Sequence, residues 1–172
     1  MRRLVLAFAL LATACSQQPA APAPSSAPAP PATTVAQPPP DPQPTGPGPC
    51  PYLEASFVAD ANGQHVSKVQ TSSDQPHPAC FFYALNGKLQ LTVRVYTGDA
   101  AVAAALVDKA APVSSSNPAT DPPGWQGGYQ TTDSGAVYAV AKAGTAVVVT
   151  TNQKQTVKAR TVAKQTISSL GL

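Results

Sequence analysis

Charge is scarce in this chain of 172 residues: only 11% are Asp, Glu, Lys or Arg. A coiled coil needs far more, so that class is excluded. Eleven basic residues against eight acidic ones give a formal charge of +3, and Arg2 and Arg3 supply two of those positives. The remainder, near +1, argues against a basic surface for nucleic acid. Aromatic residues make up 6%, with one Trp and two His. Glu54 is the sole glutamate, and the aspartates sit mostly at turns or caps, which leaves little for glycosidase carboxylate chemistry. No P-loop, dinucleotide fingerprint, calcium loop or G-x-S-x-G elbow is present. Proline, by contrast, is abundant. Thirteen of the 20 prolines fall within residues 16–49, leaving about 124 residues (49–172) to build one core.

Residues 1–14 read as an export signal. Met1-Arg2-Arg3 is a positive start, and residues 4–12 (LVLAFALLA) are an unbroken apolar run. Nine helical residues rise about 13–14 Å, less than half of a ~30 Å hydrocarbon core, so this run does not span a bilayer. The segment ends Leu11-Ala12-Thr13-Ala14-Cys15, which resembles a bacterial lipobox. That resemblance implies a diacylglyceryl group on the Cys15 sulfur and an anchor in the outer face of the cytoplasmic membrane. Each buried acyl methylene contributes about 0.8 kcal/mol, so two or three chains hold durably. The pattern departs from the usual one, with Ala12 where Leu is preferred. Ala12-x-Ala14 also suits ordinary signal peptidase, which would release a secreted soluble product.

Three cysteines in an exported chain leave one without a partner. Lipidation of Cys15 accounts for it and leaves Cys50 and Cys80 as a disulfide pair. The competing reading makes Cys80 a metal ligand with His77, for which two further ligands are wanting. Residues 15–48 are expected to be a lipidated Cys followed by a disordered stalk. They hold Pro, Ala, Gln, Ser and Thr, one charge (Asp41) and no aromatic side chain. With so little to bury, the segment cannot offset the entropy of ordering. In polyproline II form it would reach on the order of 100 Å.

Residues 49–172 are expected to form one globular domain. Pro51 suits a first helical position, and a helix is expected over 52–59, ending at the Asn62-Gly63 turn. Strands are expected over 66–71, 79–85 and 89–97, the last two joined by a hairpin at Asn86-Gly87. Leu89, Leu91, Val93 and Val95 alternate with Gln90, Thr92, Arg94 and Tyr96, so one face of that strand packs on a core and the other is wetter. Asp99 can cap a helix over 100–111, stopped by Pro112, and a loop follows to Gly124. A strand is expected at 129–132, then a hairpin of 136–142 and 145–151 turning at Ala143-Gly144. An amphipathic helix over 153–170 closes the chain, burying Ala159, Val162, Ala163, Thr166, Ile167 and Leu170. The fold class is therefore α+β: a curved antiparallel sheet of about five or six strands with helices on one face.

Chemistry is harder to find. Ser72, Asp74 and His77 are the residue types of an activated nucleophile, but their setting reads as a polar loop before a strand. His65 and His77 read as loop histidines. No catalytic residue, metal site or cofactor is assigned. The segment that looks recruited is residues 121–129 (DPPGWQGGY), with the only Trp in a small, polar loop. Trp125, with Tyr129, is either a rigid contact for a partner or a plug folded back on the end of the sheet.

The stretches CPYLEASFVADANGQHV, PACFFYALNGKLQLTVRVYTGD, SSNPATDPPGW and VVVTTNQKQTVKARTVA resemble a family of mycobacterial and corynebacterial cell-envelope lipoproteins. These share a domain of unassigned activity, and the likeness covers most of residues 50–172. The early Cys in a helix and the second Cys leading an aromatic strand are similar to other actinobacterial envelope lipoproteins. That similarity implies the sheet-and-helix fold shared by the Mog1 and PsbP proteins, and it brings no catalytic residues. The expected function is a non-enzymatic, membrane-anchored extracytoplasmic module that binds an envelope protein, lipid or glycan. The alternatives are a small hydrolase acting on wall or lipid substrates, and an interaction subunit that steadies a larger envelope complex.

Overall fold

The computed structural model describes residues 36–172. The export signal, Cys15 and residues 16–35 of the spacer lie outside the described residues. In chain order the elements are β1 (Gly46–Pro47), α1 (Ala55–Asn62), β2 (Val66–Thr71), β3 (Cys80–Ala84), β4 (Leu89–Thr97), α2 (Ala100–Ala110), β5 (Asn117–Ala119), β6 (Gln126–Thr132), β7 (Gly135–Lys142), β8 (Thr145–Thr151) and α3 (Thr156–Leu170). One antiparallel sheet holds all eight strands in the order β1-β2-β3-β4-β8-β7-β6-β5. Two meanders thus meet at its centre, where β4 pairs with β8 over seven residue pairs from Leu91↔Thr151 to Thr97↔Thr145. Helix α2 carries the chain from the end of the first meander to the far edge, where the second begins.

The sheet is larger than the five or six strands expected, and the two extra strands are its edges. Strand β1 has two residues and β5 has three, and each contains a proline, Pro47 or Pro118. Proline signals loop in a sequence, yet an edge strand tolerates it because one side of the ladder needs no donor. Short, proline-bearing edges also discourage pairing with another chain. Strand β6 likewise begins earlier than expected, through Gly127 and Gly128, which look like a turn on paper. A Cβ on Gly127 would stand 2.0 Å from the Ala139 carbonyl, and one on Gly128 would stand 2.4 Å from Ser116 Oγ. These glycines permit close approach of neighbouring chain inside the sheet.

The helices do not share one face, which corrects the expected layering. Val58 of α1 and Ala159, Val162, Ala163 and Ile167 of α3 pack with Phe82, Leu91, Val93, Tyr138, Val140, Val147 and Val149. On the opposite face, Ala103, Leu106 and Val107 of α2 pack with Val137, Ala139 and Ala146. Successive residues of β7 and β8 therefore enter different cores. This explains why residues 135–140 are buried without a break instead of alternating.

Local signals set the helix ends. Asp99 caps α2, its carboxylate accepting from Ala101 N at 2.8 Å and Val102 N at 3.1 Å. Gly63 ends α1 in the left-handed conformation, with its N–H on the Ala59 carbonyl. Helix α1 starts three residues later than expected because the Cys50–Cys80 disulfide holds the chain there and Tyr52 and Leu53 turn into the core. The Tyr52 hydroxyl donates to the Pro78 carbonyl at 2.8 Å. Helix α3 starts later as well, since Gln153 N donates to Thr151 Oγ1 at 3.1 Å rather than opening a helical turn.

The chain before Cys50 is also part of this architecture. Thr45 N donates to the Thr71 carbonyl at 2.9 Å, and β1 pairs with β2 through Gly46↔Thr71 and Pro47↔Gln70. Residues 39–45 continue across the α2 side of the sheet as a strap, reaching Arg94 and Lys109. The last part of the expected stalk is thus laid against the domain.

Candidate functional site

Helix α2 packs on β6, β7 and β8, so among the described residues the same face of β3 and β4 carries no helix. The strap runs there instead. Between the two lies a cleft of about 340 Å³, lined by Asp41, Pro42, Phe81, Thr92, Arg94, Leu106, Lys109, Ala110, Val148 and Thr150. Its floor is a cross-strand ladder, because Phe81 pairs with Thr92, Thr92 with Thr150, and Arg94 with Val148. These are the residues that alternate with the α3-side core. Leu106 and Ala110, one turn apart, form the α2 wall. The volume lies at the lower end of the range for small-molecule sites, roughly 300–1,000 Å³.

Two cations stand in this mostly apolar cleft. The Arg94 side chain is 12% exposed, unusual for a charge on a central strand. Its guanidinium donates to the Pro40 carbonyl at 2.9 Å and to the Pro39 carbonyl at 3.4 Å, and lies 3.6 Å from Asp41 Oδ1. Lys109 Nζ donates to the same Asp41 oxygen at 2.7 Å. Every polar partner of Arg94 and Lys109 among these contacts thus comes from the strap. A nearly buried cation without a partner is costly, so the strap supplies what the folded sheet does not. A second cleft, of about 380 Å³, lies on the other flank of α2 against β5 and β6, and Asp108 is its only charged lining residue.

The residues singled out in the sequence fall elsewhere. Cys50 and Cys80 form a disulfide with Cα atoms 5.6 Å apart, which engages the sulfur that the metal reading assigned to Cys80. Among the described residues no group of three His, Cys, Asp or Glu side chains is placed to hold a metal ion. Ser72 Oγ donates to Asp74 Oδ2 at 2.9 Å and accepts from Ala79 N at 2.8 Å, closing the loop before β3. The His77 ring stands edge-on to Tyr52 at 6.4 Å between centroids, so the Ser-Asp-His grouping is a turn braced by an aromatic contact.

Trp125 is 2% exposed and belongs to the α3-side core. It plugs the end of the sheet, and the reading of an exposed partner contact gives way to that burial. The loop before it is tied down on two sides: the Tyr138 hydroxyl donates to the Asp121 carbonyl, and the Asp121 carboxylate lies 3.1 Å from Lys164 Nζ of α3. Burial, and then the negative charge of Asp121, push the Tyr138 phenol above its ordinary range. Tyr129 is half-buried and stacks on Tyr138 at 6.3 Å.

Sequence reasoning missed Arg94, Lys109 and Asp41 as a set. One signal was available: Arg94 sits mid-strand on a face taken to be wet, and Asp41 is the only charge of the proline-rich spacer. Nothing in the sequence joins them, because the strap's path is a tertiary fact.

No curated protein matches the chain. Residues 32–172 match the model of a family described as a domain of unknown function, DUF2020. That match spans the strap, the sheet and all three helices, and the chain belongs to this family.

Proposed function

We propose that this protein is an exported cell-envelope lipoprotein of the actinobacterial type, anchored through Cys15, whose domain is a non-enzymatic binding module. Its binding site is the cleft between α2 and the strap. The observation that carries this reading is the incomplete cover of the α2 face. A floor that includes Phe81 and Val148, and a wall of Leu106 and Ala110, are closed by a length of chain that few backbone bonds attach to the sheet, rather than by a packed helix. Such concave, mostly apolar sites with a few convergent polar groups are where small ligands bind. The pairing of Cys50 with Cys80 supports the anchor, since it leaves Cys15 as the thiol available for acylation. The finer fold likeness, to the Mog1 and PsbP proteins, belongs to the same proposal and is supported by the layering of helices on one antiparallel sheet.

Two measurements on protein extracted from its own membranes test this. The mass of the amino-terminal peptide is expected to carry acyl chains on Cys15, and an unmodified thiol there removes the anchor. Native mass spectrometry is expected to show a small molecule retained by the protein and lost on Ala110→Trp, which fills the cleft. Retention unchanged by that substitution removes the cleft as the site.

A further inference from the structure

We infer that the strap is a tethered stand-in for the cleft's ligand, and that the ligand is a single-chain amphiphile with a carboxylate head, which displaces Asp41 from Arg94 and Lys109. The inference rests on the reading of the cleft as the binding site and goes further, by naming the chemistry of the occupant.

Three features lead to it. The first is charge. Arg94 and Lys109 converge on one oxygen of one carboxylate, at 3.6 and 2.7 Å. Asp41, which owns that carboxylate, is 67% exposed at the side chain and attached to a strap, not to the sheet. A free carboxylate entering the cleft would meet the same two donors, and an Arg beside a Lys is suited to bind it. The second is what lies behind the charges. Phe81, Leu106, Ala110 and Val148 line the same cleft with apolar surface, which suits a hydrocarbon chain and leaves a purely polar anion underused. The third is size. At about 340 Å³ the cleft suits one chain better than two. The flanking cleft beyond α2 is as large but offers only Asp108, so it would repel the same head group.

The strap is also built to yield. Between Asp41 and the edge pairing at Thr45 it makes no backbone hydrogen bond to the sheet, and it holds Arg94 through the Pro39 and Pro40 carbonyls and the Asp41 carboxylate. The Lys109–Asp41 pair is open to solvent on both sides, the screened and weak class of contact. A ligand carboxylate that takes over both cations therefore competes with a weak tether.

The test uses the full exported chain carrying Cys15→Ser, so that no anchor acyl chain competes. Dodecanoate and 1-dodecanol are titrated separately below their aggregation limits, by calorimetry. Dodecanoate is expected to bind at least about tenfold more tightly than the alcohol, with the preference shrinking as salt is raised. Asp41→Asn is expected to tighten dodecanoate by about threefold to tenfold and to leave the alcohol unchanged. Lys109→Gln, at a half-exposed position that folding tolerates, is expected to weaken dodecanoate by a similar factor. Amide exchange of residues 41–46 is expected to speed up when dodecanoate is bound. Equal binding of acid and alcohol, indifferent to Asp41→Asn, overturns the carboxylate inference and leaves the cleft as an apolar site. Binding of neither probe to any variant overturns the cleft reading as well.

Discussion

Asn62, at the last turn of α1, donates its side-chain amide to Oε1 of Gln90 on β4 at 2.9 Å, with both side chains shielded from solvent. Gln90 in turn donates to the His65 carbonyl at 3.0 Å, and the Thr151 hydroxyl of β8 donates to Asn62 Oδ1. Three segments distant in sequence are thereby joined by amides and a hydroxyl that satisfy one another. Fully satisfied buried networks fix geometry, and partly satisfied ones are costly. Asn62→Ala is therefore expected to lower stability by about 2–4 kcal/mol, since it leaves Gln90 and Thr151 short of partners inside the protein. Urea unfolding measures it. A double-mutant cycle with Gln90→Leu should show strong coupling, and additive losses would mean that the amides do not act as a unit.

The turn between β7 and β8 combines one misplaced residue with one indispensable glycine. Ala143 has φ of 50°, in the left-handed region that disfavours a Cβ. Ala143→Gly is expected to raise stability by up to about 1 kcal/mol, because the strain removed exceeds the entropy added to the unfolded chain. Gly144, the next residue, has no such freedom: a Cβ there would stand 2.0 Å from the Gly98 carbonyl. Gly144→Ala should destabilise by more than Ala143→Gly stabilises, and thermal unfolding of the two variants decides the order.

Much of this architecture is legible from pattern alone, and the failures have physical reasons. The Asp99 cap and the apolar side of α3 depend on neighbours in sequence and appear where expected, and so does the alternation of β4 from Leu91 to Val95. At the start of that strand the expectation is reversed: Leu89 is exposed and Gln90 buried, because Gln90 is drawn into the amide network with Asn62. Edge strands β1 and β5 hide because proline marks a loop unless a sheet edge is already in place to accept it. The second helical layer was foreshadowed by the unbroken apolar run of β7, which is the mark of a strand covered on both faces. The cleft was not legible, since it exists only where the strap, β4 and α2 come together.

The Cys50–Cys80 bond closes a loop with a sequence separation of 30 and ties the start of the domain to β3. In the chain-entropy account a loop of that length contributes about 3–4 kcal/mol, by restricting the unfolded chain. Replacing both cysteines with Ser should therefore lower stability by about that amount or more, as Cys80 is fully buried and Cys50 nearly so. A double variant as stable as the parent would show that the unfolded chain is already compact around this loop. Native protein should resist reductant until denaturant is added, since neither sulfur lies open to a thiolate.

Tyr52 gives stability a defined response to alkali. Burial, and then the charge of Asp74, raise the phenol well above its ordinary value near 10. The folded state therefore keeps a proton that the unfolded chain releases as pH passes 10, so the native form binds more protons and stability falls as pH rises. Below that point the contribution is fully present. Urea midpoints are expected to be level in this respect up to about pH 10 and to drop beyond it, with a limiting slope of about 1.4 kcal/mol per pH unit from this group. Tyr52→Phe should cost about 1 kcal/mol at neutral pH, for the bond to the Pro78 carbonyl, and should flatten the alkaline decline. Tyr138, raised by burial and Asp121, continues to contribute in that variant, so the decline is reduced and not abolished.

Trp125 distinguishes a core plug from a recognition surface with a single residue. Its side chain is 2% exposed, within the cluster that includes Tyr138 and Val140, and Lys142 Nζ lies 5.9 Å from the ring centroid. Removing a buried Trp takes away its apolar contacts and leaves a cavity, which typically costs about 3–5 kcal/mol. Trp125→Ala should accordingly lower stability by that amount, and Trp125→Phe by less, because a second aromatic ring refills part of the space. The chain has no other Trp, so its fluorescence reports this site alone. In the native protein the emission should resist quenching by acrylamide, and it should become accessible in one step with global unfolding. Ready quenching of the folded protein, with a neutral Trp125→Ala, would instead place the ring at the surface and restore the loop 121–129 as a contact site.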